Sequence, residues 1–581
     1  MIKKYITLVI ILISFQQNFS QTYISGGSVE GIWTKSNSPY IIENAILVPH
    51  LKSLIIEPGV VVEFQGSYKF SVLGKLNAIG TVNDSITFTT NNQTQGWLGV
   101  RFENTSDLNE VSNFSYCKFE YGRANSTPPL DSGGAIFIDG YSKVNISNSL
   151  IQNCYAGLNG AGIYCDNGSS PSIVGNTIKN NTADGGGGGI YAGASSSPLI
   201  KDNLIISNIA FGLSGAGIYT YDFGGPGSPI IQNNQISYNI CNGCRGGGMR
   251  VLSNSAIITN NTITFNEASN DIGGAGVYVT SISTTANNIL THNIISNNKS
   301  TNDLEDYGGG GVYWASIGDN DLISNNLIAN NSSSKDGGGI HFSRSHPTMI
   351  NNTIVNNSSR NGGGIFCSES SSPTIQNSII WGNFSSNSGN QLYLEDEASD
   401  PNIYYSNLEG GASQIQHAPN TFYLGEYLNN INSDPLFNNP TLEAGSNFNG
   451  VNSDWSLNSS SPCIDQIEII METELLDLAG NNRIDGNLID MGCYEFQNTT
   501  LNIASVNTKE KFSVYPNPAS EVIYFKNINK INELKITNVN GKVVKRVSKT
   551  NNTDKINISN LNSGVYFIQF DSNTTLRLIK K

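Results

Sequence analysis

The chain has 581 residues, 60 of them glycine and only 13% charged. That length exceeds a single ordinary core, and the turn-rich composition excludes a helical bundle in favour of elongated β structure. The formal charge of −14 is unevenly split: residues 509–581 hold 13 basic and 5 acidic side chains, the remainder 19 and 41. An acidic body of this kind excludes nucleic-acid binding as the main task, because that affinity rests on Lys and Arg against phosphate.

Residues 1–20 place Lys3 and Lys4 before an apolar run over 5–15, with Ser20 as a small residue at a cleavage point. This is the pattern of a signal peptide. The run is shorter than the roughly 20 apolar residues a bilayer requires, and no later segment approaches that length, so no transmembrane span is expected. No cysteine lies near Ser20, which argues against a lipid anchor.

Downstream, a glycine triplet followed by alternating residues recurs every 25 to 35 positions: GGAIFI at Gly133, GAGIYC at Gly160, GGGIYA at Gly187, GAGIYT at Gly215, GGGMRV at Gly246, GAGVYV at Gly274, GGGVYW at Gly309, GGGIHF at Gly337 and GGGIFC at Gly362. A second strand follows each triplet, often opened by Ser-Pro, as in SPSIVGNTIKNN at Ser170. Asparagine recurs there in two series. One is Asn148, Asn176, Asn203, Asn234, Asn261, Asn293, Asn326, Asn352 and Asn377; the other is Asn153, Asn181, Asn208, Asn239, Asn266, Asn298, Asn331 and Asn357.

Short strands cannot bury an apolar face alone, but coils stacked at about 4.8 Å pair each strand with the coils above and below. Alternation then sends Ile136, Ile163, Ile190, Ile218, Met249, Val277, Val312, Ile340 and Ile365 inward. The intervening residues form an outward column: Phe137, Tyr164, Tyr191, Tyr219, Arg250, Tyr278, Tyr313, His341 and Phe366.

The eight cysteines of an exported chain permit disulfides. Cys241 and Cys244, in CNGC, are expected as a loop disulfide or free thiols rather than a metal or redox site, since no second Cys pair accompanies them. Cys463 and Cys493 bracket the end of the repeat region and are candidates for a staple.

The triplets, asparagine columns and SPxIxNNxI strands resemble the right-handed parallel β-helix repeats of the pectate-lyase-like superfamily. LIIEPGVVVEFQG and WLGVRF, at Trp97, resemble the opening coils of such helices. NSIIWGN at Asn377, SDPLF at Ser433, SPCID at Ser461, DLAGNNRID at Asp477 and DMGCYE at Asp490 resemble their closing region, with Gln466 standing where that pattern usually has glycine. Beyond a polar stretch, short alternating strands suggest a small β-sandwich. There FSVYPNPAS at Phe512, NVNGKVV at Asn538, ISNLNSGVYFIQF at Ile558 and the terminal LRLIKK are similar to the type A C-terminal sorting domain of type IX secretion, with Tyr515, Pro516, Asn517, Pro518, Gly541, Gly564 and Tyr566 as its motif residues.

The organisation expected is a signal peptide over 1–20, N-terminal coils and cap over 21–110, regular repeats over 111–385, closing coils and cap over 386–497, a linker over 498–511 and the sorting domain over 512–581. The fold class is all-β, a right-handed parallel β-helix solenoid followed by a small β-sandwich. The resemblance implies the type IX secretion machinery as a partner and a destination outside a gram-negative cell, released or surface-bound.

Enzymes of this fold commonly cut acidic polysaccharides, and each mechanism has a residue requirement. A polygalacturonase-like site needs clustered carboxylates with an Asp pair and Gly-His-Gly, and neither Asp-Asp nor Gly-His-Gly occurs. A lyase needs a base beside a neutralised carboxylate. Arg250 and His341 interrupt the outward column three coils apart, about 14 Å at the coil rise, so they do not share one reacting atom. A linear glycan along Tyr219, Arg250, Tyr278, Tyr313 and His341 would meet both, with tyrosine faces against sugar rings. The competing reading is a ladder that only stiffens the sheet. Asp271, Glu305 and Asp306 are weak Ca²⁺ candidates, with solvated turns as the plainer alternative, and otherwise no cofactor is indicated. The sequence favours a carbohydrate-binding or adhesive scaffold over an enzyme, with a polysaccharide lyase acting on acidic glycans as the alternative.

Overall fold

The computed structural model describes residues 21–581 apart from 213, 223–224, 270–272, 302–307, 319, 468–475, 486–487, 498–512, 516–518, 527–532, 539–541, 549–554, 563 and 571–574. The leader and the linker therefore lie outside the described residues. The chain divides into two compact units at Asn498 and Thr499.

The first unit is a parallel β-helix. Its opening coil supplies Thr22–Ile24, Gly27–Ser28 and Gly31–Trp33, and each of these strands begins a 15-stranded sheet in which every coil adds one neighbour. A fourth sheet of ten strands runs from Arg123–Ala124 to Phe384–Ser388. Among the described residues no helix is long and apolar enough to cross a membrane. The interior begins aromatic, with Phe64 stacked on Trp97 and Phe88 on Phe119 at centroid distances of 4.4 and 4.7 Å. It becomes mainly aliphatic from Ile136, with Tyr141, Trp314 and Phe342 as buried aromatics, and all nine residues of the expected inward column are fully buried.

Two asparagine ladders hold the corners. Asn203 donates its backbone N–H and its Nδ2 to Asn234 Oδ1, both at 3.0 Å, and Nδ2 also reaches the carbonyl of Ile173 in the preceding coil at 2.8 Å. The second ladder repeats this from Asn181 through Asn383. Each amide thus satisfies backbone groups that a corner removes from the sheets, where a buried orphan costs about 1–3 kcal/mol.

Three members of the two series are corrected by one residue. Asn148, Asn153 and Asn377 stand at positive φ, of 47°, 56° and 49°, and the ladder places beside them belong to Ser149, Cys154 and Ser378. Each corner is a left-handed residue followed by a ladder residue. In the Asn-Asn pairs the two asparagines hold different jobs: Asn233, with φ 56°, makes the bend, and Asn234 makes the bonds.

Coils continue to the bridge between Asn407 and Ile431, after which the chain turns back along the flank of earlier coils as a strap. Its seat is the outward amides of the left-handed corner residues. Asn297 donates to the carbonyls of Ser446 and Phe448, Asn330 to those of Glu443 and Gly445, and Asn356 to Thr441. Trp455 and Cys493 pack there on Leu327, Ala329 and Val355. The closing motif folds on itself beneath: Asp490 accepts from the N–H groups of Asp465 and Phe496, Asp477 from Asn481 and Glu495, and Arg483 donates to the carbonyl of Asp490. Burial, together with Asp490, pushes the Glu495 carboxyl up to about 8.

Cys241 and Cys244 form a disulfide with Cα atoms 5.2 Å apart, whereas Cys463 and Cys493 are separate buried free thiols and make no staple. The second unit sets an antiparallel sheet of Ser513–Tyr515, Val522–Lys526 and Lys555–Asn557 with another of Glu533–Asn538, Val543–Ser548, Gly564–Phe570 and Thr575–Lys580. Ile523, Ile536, Ile556, Ile568 and Leu578 form its core.

The corner division predicts unequal consequences for neighbouring residues. Asn234→Ala strips acceptors from Asn203 and a donor from the Ile200 carbonyl, and is expected to cost about 2–5 kcal/mol of local stability. Asn233→Gly relieves a left-handed backbone and is expected to stay within about 0.5 kcal/mol of the parent. Hydrogen exchange resolved to the coils on either side checks both, since a stacked repeat need not unfold in one step. Equal loss of protection in the two variants would refute the division.

Candidate functional site

The outward column of the second sheet lies in strict register: Arg101, Phe137, Tyr164, Tyr191, Tyr219, Arg250, Tyr278, Tyr313, His341, Phe366 and Tyr393 are successive partners. Alternation predicted this orientation but not its burial. Tyr219, Tyr278, Tyr313 and His341 are all buried, and Arg250 is half-buried. Two features close the column. Ring faces are spent on neighbouring rings, with Tyr278 on Tyr313 at 4.7 Å and 6° between planes. The first glycine of each triplet also folds over the root of its aromatic side chain. A Cβ on Gly274, at φ 73°, would stand 2.9 Å from Tyr278 Cβ.

Arg250 sits over Tyr219 and Tyr278, 5.4 Å from each ring centroid, and donates to Ser214 Oγ. His341 is 1% exposed. Its Nδ1 accepts from the Gly308 N–H at 3.2 Å, and Nε2 lies 2.9 Å from Ser368 Oγ. Desolvation holds the imidazole neutral, its pKa pushed down to about 3. The ladder therefore presents neither open tyrosine faces nor an accessible base. Arg101, not singled out in the sequence, extends the same column: it is fully buried 3.9 Å over the Phe137 ring, bonded to Glu103 at 2.6 Å and to the carbonyls of Pro129 and Ser132. Asp271, Glu305 and Asp306 lie outside the described residues. Among the described residues no group of three or more His, Cys, Asp or Glu is placed to hold a metal ion.

An open groove of about 720 Å³ lies instead where the fourth sheet meets the strap. Ser333, Ser334, Ser358, Ser359, Arg360 and Phe384 line it from the coils, and Glu443 and Ala444 from the strap. Two of its serines, Ser333 and Ser359, are buried on the inward side of the fourth sheet, whereas Ser334 and Ser386 are exposed. The inward position of the fourth sheet is alanine at Ala156, Ala183, Ala210 and Ala268, then turns to serine at Ser300, Ser333 and Ser359. Ser332 and Ser358 share a hydroxyl hydrogen bond of 3.0 Å between coils.

Phe384 is 54% exposed in this groove, in contrast to the closed column. Arg360 grips Asp336 through Nη2 at 2.9 Å and Nε at 3.3 Å, with Asn361 on the same carboxylate. Glu409 is held by the Gly382 N–H at 2.8 Å and by Gln391. Chemically the groove offers hydroxyl donors and acceptors, one apolar ring and two carboxylates. Sequence reasoning missed it because it depends on the strap returning. The strap covers Leu327, Ala329, Val355 and Trp381 at outward positions of the first sheet, but Leu204 and Ile206 hold the same positions in earlier coils, so apolar outward residues alone do not announce it.

In the second unit Tyr515 ends a strand, Gly564 opens one, and Tyr566 is buried with its hydroxyl donating to Asn562 O at 2.9 Å. Pro516, Asn517, Pro518 and Gly541 lie outside the described residues.

Comparison with protein families matches residues 98–284 and 246–408 to the right handed beta helix region, and residues 513–581 to the secretion system C-terminal sorting domain. No curated protein matches the chain.

The enclosed imidazole gives a pH prediction with a definite sign. The folded pKa lies below the 6.5 of free histidine, so the unfolded chain takes up the proton first. The contribution of neutral His341 is complete above about 6.5 and is lost as pH falls toward about 3. His341→Phe keeps the stack but leaves the Gly308 N–H without its acceptor, at an expected cost of about 1–3 kcal/mol near pH 7.5. The gap between parent and variant should narrow below pH 6. Thermal melts across that range test this, and a gap independent of pH would show that His341 titrates normally.

Proposed function

The chain belongs to the right-handed β-helix family and is sorted to the cell surface or extracellular space, and from that premise we propose that it is an extracellular scaffold binding polysaccharide without cleaving it. The observation that supports this reading is the groove between the fourth sheet and the strap. Sugars present hydroxyls that both donate and accept, together with apolar C–H faces. The exposed hydroxyls of Ser334 and Ser386 match the first, and the exposed ring of Phe384 matches the second.

The non-catalytic part rests on the closed column. His341 is enclosed and neutral, and Arg250 is engaged with two rings and a serine. Neither stands ready to withdraw a proton from a bound sugar. The partner expected from the sorting domain is the type IX machinery, and the extracellular ligand is the polysaccharide.

Titration of the purified protein against a panel of soluble polysaccharides tests the reading, with product release followed in parallel. Phe384→Ala is expected to weaken binding about tenfold or more, equivalent to about 1.4 kcal/mol, while Tyr313→Phe, buried in the column, leaves affinity unchanged. Undiminished affinity in Phe384→Ala removes the groove as the site. Release of shortened or unsaturated products refutes the scaffold.

A further inference from the structure

Resting on the glycan reading of the groove, we infer that its ligand is an uncharged polysaccharide and that polyuronates are rejected. The inference comes from how charge is matched around the groove. Arg360 is the cation that lines it, and that guanidinium is bound through two nitrogens to Asp336, a carboxylate that is itself 2% exposed. The two charges cancel at short range, and the fork is already occupied by a carboxylate of the protein.

The other charged lining groups are Glu409 and Glu443. Glu409 is held by neutral donors, the Gly382 N–H and the Gln391 amide, which fix its position without compensating its charge. Among the described residues neither glutamate joins an ion pair. The body around them adds to the field, with 41 acidic against 19 basic residues outside the C-terminal stretch that begins at Lys509. A uronate polymer entering the groove thus brings negative charge toward two fixed carboxylates with no unspent cation to meet it. A neutral sugar meets hydroxyls and an aromatic ring at no electrostatic cost.

The test compares each uncharged polysaccharide of a panel with its own carboxymethylated derivative, so that backbone and linkage are constant. Affinities are measured at 50 and 500 mM NaCl, with and without added Ca²⁺. The uncharged form is expected to bind at least about tenfold more tightly at low salt, with the difference shrinking at high salt as screening shortens the field. The double variant Glu409→Gln/Glu443→Gln should recover binding of the carboxymethylated polymer and narrow its gap to the uncharged polymer by about tenfold or more at low salt. Glu443→Gln alone, on the exposed strap, should recover part of it, which guards against a folding defect in the pair. Equal or tighter binding of the charged polymer, with or without Ca²⁺, overturns this inference and leaves the glycan reading standing. Absence of binding to every polymer at both salt concentrations overturns the glycan reading itself, and this inference with it.

Discussion

Each coil of this protein turns corners in an environment without water, and the amide of one asparagine makes that possible. A corner breaks the ladder of a parallel sheet, so an N–H and a carbonyl per coil lose their partners at the moment they become buried. Asn203 shows the solution: one side chain gives Nδ2 to the coil before and to the coil after, and its Oδ1 receives the backbone of Asn176. Because donor and acceptor of the same residue face opposite neighbours, the pattern propagates without end groups until another side chain ends it. At one end the Ser149 hydroxyl takes the Cys117 N–H, and at the other the hydroxyls of Ser378 and Ser406 carry the row on to Asn430.

That ladder dictates what surrounds it. The third glycine of each triplet packs against the second ladder: a Cβ on Gly276 would stand 2.9 Å from Asn298 Nδ2 and 2.6 Å from the Gly311 carbonyl. The G-x-G spacing is therefore a clearance requirement of the asparagine column as much as a turn signal. The residue before each ladder asparagine must take positive φ, and asparagine tolerates that conformation well. Where such a residue turns its own amide outward, as in Asn297, Asn330 and Asn356, it presents donors that the strap uses. One corner thus builds both the interior seam and the exterior seat.

The repeated part of the fold was legible because it rests on periodicity. Inward columns and strand register follow from alternation and spacing, with the ladder misplaced by one residue only where serine or cysteine replaced asparagine, while the sorting domain was legible from its motifs. The path of the strap was not legible, since nothing local in residues 433–497 states that the chain reverses. It covers Leu327, Val355 and Trp381 at positions that alternation marks as outward, but Leu204 and Ile206 hold the same positions in earlier coils. The burial of Tyr278 and His341 was hidden for a related reason. Direction follows from parity along a strand, but exposure depends on the triplet turn folded over the side chain.

The same geometry decides where a solenoid of this kind can hold a ligand. Coils in register place like rings face to face at the coil spacing, so an aromatic column consumes its own binding faces. The stack of Tyr278 and Tyr313 is complete in itself and gains nothing from a sugar. A concave surface with an open ring arises where the repeat meets a segment that does not repeat. In this protein that seam is the border between the fourth sheet and the strap, where alanine gives way to serine and Phe384 stands half in solvent. The regular coils supply rigidity and length, and the irregular return supplies the groove.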